Sequence, residues 1–307
     1  MSTGNAGRRC LSFNVPTFCR KFVLQTNQKV STMISITDND TLLQYIPNVV
    51  ETVEGETPLF DKILPQLEIT EQWLHDTIVG DIPIDEDKNK MVCTIIACEA
   101  FRRSVPSLDL ILTPNGFGVV SNNNVAPASK ERIERLIASL RDLRDKAITA
   151  LLNVLRQDSD WLQSAQGQWL ASSLFVLPDE DTTAAAAAVR TDDKWEDFLT
   201  LREKARPIEQ AIAEKWLGQA LTARLRATLA SDPHGTSDTV ALARTIRQLV
   251  IDELLTGKRP VKNLDRCVNY IRNNGTLYPE WRSDPVAELF ENKWRFQNKK
   301  QAAGYFF

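Results

Sequence analysis

The chain has 307 residues, 43% of them hydrophobic and 25% charged, with a formal net charge of −3. That length and balance fit a soluble folded protein of one large or two modest domains, and they argue against a disordered or fibrous chain. The charge is uneven: residues 1–32 carry five cations and no acid, and residues 257–307 hold ten cations against five acids, so these two +5 ends leave −13 on the middle.

In chain order, residues 1–32 mix Ser, Thr, Asn and Gly with isolated apolar residues and read as a disordered segment or an extension before Met33. Thr37 or Asp38 then caps a helix. Thr57-Pro58 reads as a cap followed by proline at the first helical position, where the missing N–H costs nothing. Thr70 reads as the cap of a further segment carrying Trp73, Leu74 and Ile78. Residues 86–104 place Met91, Ile95, Cys98 and Phe101 on one stripe, and Pro106 is expected to stop that helix.

Residues 107–120 break the helical period. Ser107 to Thr113 reads as a short strand, Pro114-Asn115-Gly116 as a turn with Gly116 at positive φ, and Phe117 to Val120 as the return strand. From Ser129 the apolar positions Ile133, Leu136, Ile137, Leu140, Leu143, Ile148, Leu151, Leu152 and Leu155 give the clearest amphipathic helix. The Ala-rich stretch 179–190 has no apolar pattern to dock and reads as a linker. Long helices follow over 193–230 and 237–256, turning at Asp232-Pro233-His234-Gly235. A helix marked by Leu264, Val268 and Ile271 comes next, and Asp284-Pro285 caps a short last one.

The organisation expected is therefore mainly α. Residues 33–178 form a helical domain with a small β ribbon at 107–120. Residues 179–190 link it to a second helical unit over 191–291, and 292–307 are a tail. A faint repeat pairs Leu59, Lys62 and Pro65 with Leu201, Lys204 and Pro207, and Glu71-Gln72-Trp73-Leu74 with Glu214-Lys215-Trp216-Leu217 one residue out of step; chance matching of amphipathic helices is the alternative.

Nothing in the sequence selects a catalytic, cofactor or metal site. The histidines are His75 and His234 alone. Without His-x-x-x-His or Cys-x-x-Cys spacing a transition metal has little to build on. Cys10, Cys19, Cys93, Cys98 and Cys267 are odd in number and scattered, which suits reduced thiols in a cytosolic compartment. Gly116 and Gly118 lack the third glycine of a dinucleotide loop, and there is no P-loop. The acidic clusters Asp85-Glu86-Asp87 and Asp179-Glu180-Asp181 lack the glycine and late glutamate of a calcium loop. No apolar run approaches the ~18–20 residues of a membrane span.

The tail is more informative. Residues 292–307 interleave Trp294, Phe296, Tyr305, Phe306 and Phe307 with Lys293, Arg295, Lys299 and Lys300. Such a segment suits packing on its own domain or contact with an acidic surface of a neighbouring chain, and Phe117 of the ribbon is a further candidate contact. Aromatics among cations also suit single-stranded nucleic acid, but a basic face is what phosphate needs and the body is acidic.

Two stretches, "LDLILTPNGFGVVSNNNVAPASKERIERL" over 108–136 and the tail with Phe296-x-Asn298-Lys299-Lys300 and Gly304-Tyr305-Phe306-Phe307, resemble a family of phage and prophage structural proteins from gut Bacteroidetes. That family is similar to head–tail connector (adaptor) proteins, which are helical and assemble as rings. The resemblance implies a virion subunit acting by assembly rather than catalysis. Its partners would be further copies of itself and portal or tail components, first in the host cytoplasm and then in the virion. It brings no catalytic residue. An enzyme with an unrecognised site and a nucleic-acid-binding accessory protein are the alternatives.

Overall fold

A computed structural model describes residues 36–46, 57–108, 110–113, 116–119, 129–191 and 193–291, and all of these belong to one compact unit. It is mainly helical, as the periodicity requires. The segment 1–32 and the tail 292–307 lie outside the described residues.

The frame is built on two long helices. α1 (Asn39–Leu43), capped by Asp38, leads to α2 (Leu59–Leu74). α3 (Glu86–Leu108) starts with Asp85, whose carboxylate accepts from the Lys88 N–H at 2.9 Å, and with Glu86 and Asp87 at the positive end of the helix dipole. It buries Val92, Ile95, Ile96, Ala97, Cys98 and Phe101, so it runs through the middle of the unit. α4 (Lys130–Leu155) packs along it with Leu140, Ile148, Leu151, Leu152 and Leu155 fully covered. Each such leucine contributes roughly 1.5–3 kcal/mol by leaving water. The first turns of α4, at Ile133, Leu136 and Ile137, are only half-covered. Between the two helices, β1 (Leu110–Thr113) and β2 (Gly116–Val119) pair antiparallel, Leu112 opposite Phe117 and Thr113 opposite Gly116.

Several sequence expectations change here. α2 begins at Leu59, with Pro58 rather than Thr57 at the cap position, and Thr70 is a buried residue in its interior rather than the start of a helix. Pro106 does not stop α3. It sits in the last turn, where a single ladder bond is lost, and the Ser107 hydroxyl holds the Ser104 carbonyl at 2.8 Å. Gly116 is the first residue of β2, and Pro114 and Asn115 of the expected turn lie outside the described residues.

The Ala-rich stretch is not a linker. α5 (Ser159–Gln163) and α6 (Ala165–Leu170) are followed by a covered segment and then by α7 (Pro178–Ala184) and α8 (Ala186–Val189), which pack on α9 (Lys194–Ile212). Alanine lets these backbones approach closely, with Ala185 and Val189 buried. The anchor is Asp181, which is buried, accepts from the Val176 and Leu177 N–H groups at 2.9 and 2.8 Å, and pairs with Arg247 at 2.9 Å. The covered segment 171–177 has no secondary structure, so its polar groups need other partners. Arg202 of α9 donates to the Trp169, Leu170 and Phe175 carbonyls. Glu209 accepts from the Ser173 hydroxyl and the Leu174 N–H. The expected split at 179–190 therefore gives way to continuous packing.

The two halves share local geometry, in a register other than the one the sequence suggests. α2 runs into a π turn, π1 (His75–Val79), that ends at Gly80 with φ 70°. α9 runs into π2 (Ala213–Leu217), which ends at Gly218 with φ 77°. In both, the glycine N–H bonds the carbonyl five residues back at 2.8 Å. Aligning the glycines, 138 positions apart, matches Phe60 with Phe198, Glu71-Gln72 with Glu209-Gln210 and Asp76 with Glu214. Gln72 donates to Asp76 at 2.8 Å and Gln210 to Glu214 at 2.7 Å. The sequence pairing of Leu59 with Leu201 is four residues off this register. A four-residue slip is about one helical turn and leaves the apolar stripe in phase, so periodicity cannot detect it.

A tryptophan closes each unit. The Trp161 indole N–H donates to the Ile78 carbonyl at 2.8 Å, and that of Trp281 to the Trp216 carbonyl at 2.9 Å, each carbonyl two residues before its glycine. Three residues past each tryptophan a side chain caps a short helix: Ser164 caps α6, and Asp284 caps the last described helix. Before that helix the second half continues through α10 (Gln219–Ser231), α11 (Asp238–Thr256), α12 (Val261–Asn273) and α13 (Pro279–Arg282), and ends with α14 (Pro285–Leu289).

Candidate functional site

An aromatic slot lies where the first half meets the start of the second. Trp73 near the end of α2, Trp169 on α6 and Trp195 at the start of α9 wall a cavity of about 330 Å³, with Leu199, Asp76, Thr77 and Gln166 completing it. Trp73 meets Trp195 edge-on at 6.2 Å, and Trp169 lies 6.3 Å from Trp195 at 48°. Trp195 also stacks toward Phe198 at 5.6 Å. The Arg202 guanidinium lies 4.2 Å from the Trp169 ring and fixes it from one side. Trp195 is buried, whereas Trp169 is 36% exposed, so the slot is open to solvent on the Trp169 side.

Local rules position these walls. The Trp161 clamp and the Ser164 cap tie α6 to π1, and Gln166 donates to the Asp76 carbonyl at 3.1 Å. Gly80 is what lets Gln166 come so close. A Cβ there would lie 2.6 Å from its side-chain oxygen, and φ 70° already disfavours any other residue.

Beside the slot, and sharing Ala165 and Gln166 with it, lies an open cleft of about 740 Å³. Its charged lining is Asp81, Asp85, Asp158, Asp160 and Lys88. Lys88 pairs with Asp85 at 2.9 Å, which leaves the lining strongly acidic. His75 sits where slot and cleft meet, its ring nitrogens 3.1 Å from Asp76 and 3.3 Å from Asp81. Among the described residues no group of three or more His, Cys, Asp or Glu could hold a metal ion.

A second polar constellation is buried. Arg144 of α4 is 3% exposed and reaches Glu99 at 2.7 Å, Asp145 at 2.7 Å and Asp193 at 2.6 Å, joining α3, α4 and the cap of α9. Arg102 and Arg103 add further bonds to Glu99 at 2.6 Å. Burial opposes ionisation of Glu99, but the Arg102 hydrogen bonds and the Arg144 charge overcome it and hold its carboxyl at about 2. Burial raises Asp145 to about 6, against the pull of Arg144. This cluster locks three helices together. Its signal was legible: Arg144 falls four residues from both Leu140 and Ile148, on the buried stripe.

Of the residues that the sequence singled out, Trp294, Arg295, Phe296, Lys299, Lys300, Tyr305, Phe306 and Phe307 lie outside the described residues. The backbone of Phe117 is in β2, and its side chain is likewise outside them. Cys93, Cys98 and Cys267 are buried thiols, and burial pushes the Cys98 thiol up to about 12, away from nucleophilic use. His234 sits at the surface, 3.5 Å from Glu180. The slot itself was missed. Trp73, Trp169 and Trp195 belong to three separate helices, and no sequence spacing relates them.

Among the described residues no helix is long and apolar enough to cross a membrane. No curated protein and no solved structure matches the chain. Residues 46–170, which span α2 to α6 and so include two of the three slot tryptophans, match the family described as DUF6712, a family of unknown function.

Proposed function

We propose that the chain is a virion structural subunit, a head–tail adaptor or neck component, that acts by assembly rather than catalysis. The observation that carries the reading is the ribbon. β1 and β2 form a two-stranded sheet at the junction of the two longest helices, within the stretch that resembles phage structural proteins. A two-stranded ribbon is marginal in water by itself, and its outer edges offer backbone donors and acceptors to another chain. Further copies of the chain are the first partner under this reading, with portal or tail proteins as the others. The acidic middle argues against nucleic acid. The chain would act in the host cytoplasm during assembly and then in the virion.

Solution mass tests this. The full chain should grow with concentration to a discrete oligomer, seen as rings by electron microscopy. Replacing residues 110–119 by a short Gly/Ser loop should abolish the rings and leave the far-ultraviolet helical signal nearly unchanged. A wild-type chain that stays monomeric at every concentration overturns the reading. Salt-sensitive retention on DNA would favour the accessory-protein alternative.

A further inference from the structure

Slot and cleft form one continuous surface, aromatic at one end and acidic along the other, joined at Ala165 and Gln166. Residues 292–307, which follow the last described residue Glu291, carry the complementary chemistry: five aromatic side chains and four cations, with no acid. We infer that the tryptophan slot and the acidic cleft receive residues 292–307 of a second copy of the chain. The inference rests on the assembly reading and names the surface through which copies would meet.

The physical fit is specific. A cavity of about 330 Å³ walled by indoles takes one aromatic ring or one guanidinium, and both gain from the π faces. Trp294-Arg295-Phe296 offers these groups in succession. Asp81 and Asp160 in the cleft are exposed, with charges held out toward solvent. They lie within reach of a segment whose Lys299 and Lys300 follow the aromatic anchor by a few residues. Rim charges of this kind select the partner and its register more than they add affinity.

The repeat gives the contact its direction. Residues 292–307 depart after α14, which packs on π2, while the slot lies where α6 packs on π1. Each copy therefore offers one receiving surface, built on α6 and π1 and walled by Trp195 of α9, and one donor segment rooted after α14. Such a head-to-tail contact closes into a ring when the rotation permits.

Charge reversal in the full-length chain tests it. Asp81→Lys with Asp160→Lys reverses the cleft, and Lys299→Glu with Lys300→Glu reverses the donor. Sedimentation velocity should show each variant alone shifted to monomer at concentrations where the wild type is assembled, with circular dichroism unchanged. Mixing the two variants in equal amounts should restore the larger species, because each donor then faces a cleft of opposite sign. Trp169→Leu, a change in the slot instead of the cleft, should also shift the chain toward monomer. An oligomeric wild type whose variants keep its mass, or a mixture that stays monomeric, overturns this docking alone. A monomeric wild type overturns the assembly reading and this inference with it.

Discussion

The two halves share a skeleton and differ in what they build on it. Each has a helix that widens into a π turn, a left-handed glycine and a tryptophan clamped to the carbonyl two residues before it. In the first half the positions beside that skeleton are Trp73 and Trp169, which open a slot. The corresponding positions in the second half are Ala211 and Leu289, and Leu289 is 71% exposed. The glycines differ as well. Gly80 faces the flexible end of Gln166, and Gly218 faces the Asp284 carboxylate that caps α14. Repetition of the skeleton is about folding, and the divergence at its edge is where recognition sits.

The largest expected effect breaks the ionic lock that the first half has through α3 and α4. Arg144→Ala leaves buried Asp145 without its cation and takes one partner each from Glu99 and Asp193, and it should cost about 3–5 kcal/mol in urea unfolding. A loss under 1 kcal/mol would show that the cluster is solvated and holds nothing.

The glycines sharpen the comparison. Gly80→Ala should cost about 1–3 kcal/mol, because φ 70° with ψ −157° is a backbone conformation open essentially to glycine alone. Gly218→Ala should cost about 1 kcal/mol more, because its Cβ would lie 2.3 Å from the Asp284 carboxylate and displace a helix cap. Thermal melts in which Gly80→Ala is the worse of the two would contradict the assigned surroundings.

Trp161→Phe and Trp281→Phe should each cost about 1–3 kcal/mol, since each strands a covered carbonyl while keeping most of the ring volume. Similar losses support equivalence of the two clamps; a silent Trp281→Phe would break it.

Acid should act on the first half in two opposing steps. Glu99 is held well below its usual range in the folded state, so its stabilisation is full above the unfolded pKa near 4.5 and is lost as pH falls toward about 2. Asp145 has the opposite sign. Its raised folded pKa of about 6 means that its ionisation removes stability as pH rises from about 4 through 6. Hydrogen exchange in α3 and α4, relative to α10 and α11, should therefore slow as pH falls from about 6 to 4 and quicken again as pH falls from about 4 toward 2.

The smallest effect on stability is Trp169→Leu, which gives the first half a leucine where the second has Leu289. It should lose only about 0.5–1 kcal/mol with the Arg202 contact. A large loss would make the slot a packing feature.

Much of the helical frame was legible because each long helix carries its own apolar stripe and its own ends. Asp38 and Asp284 cap where their chemistry says they should, and the core of α4 falls on Leu140, Ile148, Leu151, Leu152 and Leu155. The errors have two causes. Neighbouring helices cover Thr70 and the Ala-rich stretch, which no local pattern announces. Exposed Pro106, by contrast, is tolerated because it sits in the last turn of α3.

The sequence by itself determined that the chain is mainly helical and where most of its helices lie, because those properties depend on neighbours three or four residues away. Only the tertiary structure decided the repeat register, since a one-turn slip leaves the apolar phase intact. It alone brought Trp73, Trp169 and Trp195 together and set Arg144 among Glu99, Asp145 and Asp193. Those groups come from different helices, and no spacing along a chain encodes how helices are placed against one another.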